Sequence, residues 1–224
     1  MTYEEALAHY RSALTDADAF VAPLRDTDDP EAVLWAAWQT VTGAAATADD
    51  PELARLVDLV TAVQRRELPG VRVWNLRVCT DLPVLGAQLR EEWNGGRPIA
   101  EWTALNSFAA RLTAAGTHDA LLLGLWTISA ALETFDGPPE NLPAAVEWFR
   151  HAGSQLAGAT VHGRTYAARL GPLAEQAGVP DPPAGFSFQR WAFWRRRLES
   201  LSTEGARLIK RYDSTIATGR LDPR

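Results

Sequence analysis

The sequence predicts an all-α protein, and three observations carry that prediction. Alanine, leucine, glutamate and arginine, all strong helix formers, are abundant. Apolar residues recur at helical spacing along most of the chain, whereas residues 71–79 (VRVWNLRVC) are the main stretch that alternates like a strand. Proline-containing starts and glycine stops punctuate the helical stretches.

Asp28-Asp29-Pro30-Glu31 and Asp49-Asp50-Pro51-Glu52 are matching starts. Each has a capping aspartate, a first-turn proline and a glutamate beside the positive helix end. They predict helices over residues 30–43 and 51–66. The same reading sets aside Asp26, Asp28 and Asp29 as a metal-binding cluster, because Pro30 places them in a cap and no complementary Asn/Ser/Glu motif follows. Residues 71–79 read as an extended link, since no second strand is evident to pair with them. Thr80-Asp81 predicts a cap for LPVLGAQLREEW, which ends at Asn94-Gly95-Gly96. Pro98 opens the next helix, which stops at Gly116. Thr117 or His118 caps a helix over residues 119–135, stopped by Gly137-Pro138-Pro139. That helix is apolar nearly all round and is predicted to be buried at the centre of the fold.

Asn141 precedes a helix over residues 142–158, and the loop-rich region 158–185 holds a short helix near 165–177 before Pro180, Pro182 and Pro183 break the chain. Ser187 caps a long C-terminal helix reaching to about residue 218, roughly 45 Å, with a bend or split at residues 202–205. The expectation is a single domain over residues 1–224, a bundle of roughly nine helices.

The stretch GFSFQRWAFWRRRLESL, residues 185–201, decides between a nucleic-acid surface and a packing helix. Stepping through it at helical pitch gathers Trp191, Trp194, Leu198 and Leu201 on one face, continued by Leu208, Ile209, Tyr212 and Ile216. Phe188 stands at the edge of that face, and Arg190, Arg196 and Arg197 are predicted on the other side, as a solvated face or as partners for the acidic N-terminal region, with Phe193 as an aromatic exception among them. Arg195 stands four residues before Glu199, where a surface ion pair is expected. A packing helix, with no nucleic-acid partner, is the reading that follows. The net charge of −6 agrees, because a basic nucleic-acid binder has the opposite sign. Residues 1–60 are acidic and residues 186–224 basic, which predicts mutual attraction of the two ends.

The same stretch carries a resemblance. With DLPVLG (residues 81–86) and Trp93, NSFAARL (106–112), Leu132-Glu133 and AAVEWFRHAG (144–153), GFSFQRWAFWRRRL makes the chain resemble an all-helical domain-of-unknown-function family, mainly from filamentous fungi with some bacterial members. The resemblance runs over roughly residues 80–200. It implies an intracellular helical domain and brings no catalytic residues.

Several residues are candidates for chemistry. Glu133, two turns after Trp126, is a carboxylate on an apolar helix. It is either a general acid or ligand anchor, or the partner of an arginine such as Arg111 or of a backbone amide. Asn106 follows Trp102 by one turn and would either orient a ligand carbonyl or bond a facing element. Arg111 would attract an anion or pair with Glu133. His151, three residues after Trp148, is either a general acid/base or an inert, partly exposed ring. No histidine spacing suggests a metal, and the one cysteine, Cys79, excludes an internal disulfide and a cysteine-cluster site. No phosphate-binding glycine loop, G-x-S-x-G elbow, H-E-x-x-H or dinucleotide fingerprint is present. No cofactor is therefore expected. The N-terminus lacks a signal peptide pattern and no stretch is long enough to span a bilayer, so a cytoplasmic protein without a membrane partner is expected.

Two functional readings follow. In the first, Trp102, Asn106, Trp126, Glu133, Trp148 and His151 line an apolar small-molecule pocket, as in a cofactor-free cyclase, pericyclase or isomerase of natural-product biosynthesis. That reading predicts a closed cavity of about 300 Å³ or more. In the second, the helical surface is a non-catalytic interaction module that binds another protein or forms a homodimer. That reading predicts a packed interior and an exposed apolar patch.

Overall fold

The computed structural model describes residues 1–134, 139–166, 169–179 and 185–219. Among the described residues there are thirteen α-helices, one 3₁₀ turn and one two-stranded sheet, so the fold is all-α. The chain divides into two compact units, Met1–Asp119 and Ala120–Arg224.

The first unit holds α1 (Tyr3–Tyr10), α2 (Ala17–Val21), a 3₁₀ turn (Ala22–Leu24), α3 (Pro30–Thr47), α4 (Asp50–Gln64), β1 (Arg72–Val73), β2 (Leu76–Arg77), α5 (Leu85–Asn94) and α6 (Ile99–Ala114). Both Asp-Pro-Glu starts form as expected. Asp29 accepts from the Ala32 amide at 3.0 Å, and Asp49 forms a reciprocal capping box with Glu52. α3 is the centre of this unit and packs against α1, α4, α5 and α6. Its Leu34, Trp38, Val41 and Ala45 are fully buried, and the Trp38 indole N–H donates to the Pro83 carbonyl at 3.0 Å.

The second unit holds α7 (Leu121–Leu132), α8 (Leu142–His151), α9 (Gly153–Val161), α10 (Pro172–Gln176), α11 (Phe188–Leu201), α12 (Thr203–Lys210) and α13 (Asp213–Thr218). α7 is the apolar helix anticipated over residues 119–135, and it packs on α8 and α11. The approach to α8 depends on Gly124: a Cβ there would stand 2.7 Å from the ring of the fully buried Trp148. The stops expected at Gly137-Pro138, and the breaks at Pro180, Pro182 and Pro183, lie outside the described residues.

Several local expectations are corrected. Residues 71–79 are not a link but a hairpin that pairs with itself, Arg72 opposite Arg77 and Val73 opposite Leu76. Asp81 does not cap α5; its carboxylate is taken by Arg77, and α5 begins at Leu85 after Val84 at φ 72°. The expected helix over 142–158 breaks at Ala152, and the C-terminal helix is three segments. The first of those breaks, at Ser202, is the anticipated one, and the Ser202 side chain caps α12 by accepting from the Gly205 amide at 3.0 Å.

Candidate functional site

In the second unit the sequence-derived candidates centre on Glu133, the residue that ends α7. Glu133 is fully buried. Its Oε1 accepts from Arg190 Nε at 2.6 Å and from Trp194 Nε1 at 2.6 Å. Its Oε2 accepts from the Ser129 hydroxyl at 2.8 Å, the Gly171 amide at 2.8 Å and Arg190 Nη2 at 2.9 Å. The Glu133 carbonyl accepts from the Leu173 amide at 2.9 Å, tying α10 to the end of α7. Arg190 spends a further N–H on the Gly185 carbonyl at 2.9 Å, and its guanidinium lies 5.5 Å from the Trp194 ring centroid. A buried ion pair whose every lone pair is engaged holds elements together; it has no face left for a ligand.

Arg190 is the residue that the helix reading misplaced. It was expected on the solvated side and is 1% exposed. Four helical residues advance about 40° beyond a full turn, so Arg190 lies beside Trp194 on the packing face. Phe193, the expected exception, is buried as well, while Phe188 is exposed. The Arg195–Glu199 pair forms at 3.6 Å, and Arg195 also reaches Asp213 at 3.2 Å.

His151 contacts the Glu147 carboxylate at 3.1 Å through Nε2, one turn back on α8. Trp148 packs under α7 and Trp126 is half-buried. The remaining candidates belong to the first unit, on α6. Trp102 donates its indole N–H to the Trp93 carbonyl at 3.0 Å, and the two rings are 5.6 Å apart. Asn106 is buried and donates to the Trp102 carbonyl at 2.8 Å. Arg111 pairs with Asp50 at 2.8 Å, not with Glu133. Among the described residues no group of three or more His, Cys, Asp or Glu is placed to hold a metal, and no helix is long and apolar enough to cross a membrane.

A second feature of the first unit escaped the sequence reading. Four non-glycine residues with positive φ cluster between positions 74 and 84: Trp74 at 53°, Asn75 at 63°, Leu82 at 44° and Val84 at 72°. Bulky and β-branched side chains resist this region, so each position must be held by its surroundings. Trp38 holds the loop at Pro83, and burial of Leu82 and Val84 fixes its sides. Arg77 gives Asp81 its backbone amide at 2.8 Å and a side-chain fork at 2.8 and 3.1 Å. This braces the hairpin, at whose tip Trp74 is 50% exposed and Leu76 41% exposed. A cleft of about 250 Å³ opens beside it, lined by Leu68, Pro69, Val71 and Val78 with the polar Glu67, Arg72, Arg77 and Thr80.

These features define an all-α protein with a packed aromatic interior and a braced, strained hairpin. Residues 38–198 match the family described as Protein of unknown function (DUF3632), and the chain belongs to that family. The matched segment includes the hairpin, Glu133 and Arg190. No curated protein and no solved structure matches the chain.

Proposed function

We propose that this protein is a non-catalytic interaction module that docks through the Trp74 hairpin, and that its partner is a second copy of the chain. The observation that carries the reading is Trp74 itself, half-exposed at a tip where its backbone is strained. A type I′ turn needs positive φ at both central residues and favours Asn-Gly; tryptophan there is strained, and although its ring meets Trp35 edge-on at 6.4 Å between centroids, half of it stays exposed. Tryptophan is also a residue on which interface energy concentrates.

The choice of a second copy rests on self-complementarity. Knob and hole lie on the same surface: the indole at the tip and the cleft beside it, where Leu68, Pro69 and Val71 give an apolar wall among Glu67, Arg72, Arg77 and Thr80. A two-fold axis places each indole in the other copy's cleft. Glu67 and Arg72 line that cleft, neither within ion-pair distance of an opposite charge among the described residues, so Arg72 would face Glu67 of the partner subunit. A cyclase or isomerase has less support. Glu133 has no open lone pair, His151 is held by Glu147, and neither of two clefts of the first unit is lined by Trp102, Trp126 or Trp148.

Sedimentation equilibrium at micromolar concentration tests this reading. The wild type should be dimeric and Trp74→Ser monomeric with an unchanged helical spectrum. Glu67→Arg should weaken the dimer, and adding Arg72→Glu should restore it. A monomeric wild type, or a dimer indifferent to Trp74→Ser, would sink the proposal.

A further inference from the structure

A groove in the first unit, separate from the hairpin cleft, runs between α1, α3 and the end of α5, with a volume of about 440 Å³. Leu7, Leu14 and Ala44 give it apolar surface, Gly43 lies among them on α3, and Gln39, Thr40, Glu92 and Arg97 complete the lining with Arg11. Two features of this groove are unexplained by packing.

The first is Gly43. It lies in the interior of the 18-residue α3, and a Cβ built on it meets no atom within 4 Å. No turn, close approach or positive φ requires glycine here. Alanine is the more favourable residue in a helix interior. What the missing side chain preserves is open space in the groove.

The second is the charge. Arg97 is saturated by Glu92 and by Glu101, the latter at 2.9 Å. Arg11, which also lines the groove, is exposed and has no carboxylate within ion-pair distance among the described residues. The groove thus combines an apolar strip of Leu7, Leu14 and Ala44 within a mixed lining, a position on α3 kept clear of a side chain and a single unneutralised guanidinium.

We propose that this groove binds a single-chain aliphatic carboxylate, with its chain along Leu7, Leu14 and Ala44 and its carboxylate on Arg11. The volume lies in the range of small-ligand sites. One unpaired cation matches one anionic group, and a guanidinium binds a carboxylate in a two-pronged geometry. A two-chain lipid exceeds what the groove offers, so the ligand is a free acid.

Isothermal titration with dodecanoate, and with dodecanol as the uncharged control, tests the site in the full chain. Dodecanoate should bind one per chain, and dodecanol about two- to fivefold more weakly, the worth of an exposed charge pair. Arg11→Gln should reduce dodecanoate binding by about the same factor and leave dodecanol unchanged. Gly43→Phe should abolish binding of both by filling that space. Gly43→Ala keeps the test honest about folding: it should raise Tm and change dodecanoate affinity by no more than about twofold. The proposal is overturned if dodecanoate does not saturate at one site, if dodecanol binds as tightly, or if Gly43→Phe binds like the wild type.

Discussion

Arg190 and Glu133, 57 residues apart in sequence, meet in a two-pronged ion pair at 2.6 and 2.9 Å with both side chains withdrawn from solvent. Trp194, Ser129 and the Gly171 amide complete the acceptor capacity of the carboxylate, so the pair joins α7, α11 and the segment leading into α10. Removing one partner strands the other charge without water. Arg190→Met or Glu133→Leu alone should therefore cost about 3–5 kcal/mol. The double variant should cost clearly less than the sum, because no isolated charge remains. Urea unfolding of the four proteins measures this. Additive losses would mean that the two residues are not acting as a pair.

Much of the helical framework was legible because capping chemistry is local. Asp49 and Glu52 announce α4, and Ser187 announces α11, through bonds that span only three residues. The hairpin was not legible, since its turn is Trp74-Asn75 without a glycine and its strands have two residues each. The break at Ala152 was hidden for another reason. Gly153 lies where a Cβ would come 2.3 Å from the Tyr212 ring, a constraint set by a residue 59 positions later. At the site, Glu133 was singled out by its place on an apolar helix, but its partner was not, although Arg190 shares the packing face of Trp194. Arg111, the partner anticipated, was claimed by Asp50, and nothing in local spacing encodes that choice.

Tyr10 offers a test of the first unit's core. Its ring is fully buried against Phe20, at 4.8 Å between centroids, and Phe20 stacks on towards Trp38 at 5.1 Å. The Tyr10 hydroxyl has no hydrogen-bond partner among the described residues, and burial pushes its ionisation above the ordinary tyrosine range. A buried hydroxyl without a partner carries an uncompensated desolvation cost. Tyr10→Phe removes it and keeps the ring packing, so stability should rise by about 1 kcal/mol. A loss of stability in thermal or urea unfolding would mean that the hydroxyl is satisfied after all.

The brace of the hairpin should be visible in the acid limb of the stability curve. Side-chain hydrogen bonds from Arg77, followed by the Arg77 backbone amide, lower the Asp81 carboxyl from an ordinary 3.8 to about 2. A carboxyl depressed by folding contributes its full stabilisation above the unfolded value and loses it as pH falls through the folded one. The contribution is thus complete above about pH 4 and disappears towards about pH 2. Asp81→Asn removes the titration, and Arg77→Gln removes its main cause. Both variants should therefore be less stable than wild type at neutral pH and converge on it at about pH 2. Because Asp81 also fixes the base of the Trp74 hairpin, the wild-type dimer should weaken over the same acid window, as read by sedimentation. If Asp81→Asn stays displaced from the wild type by a constant amount down to about pH 2, then the Arg77 fork does not couple to the ionisation of Asp81, and the segment is held by the Trp38–Pro83 bond and burial of Leu82 and Val84.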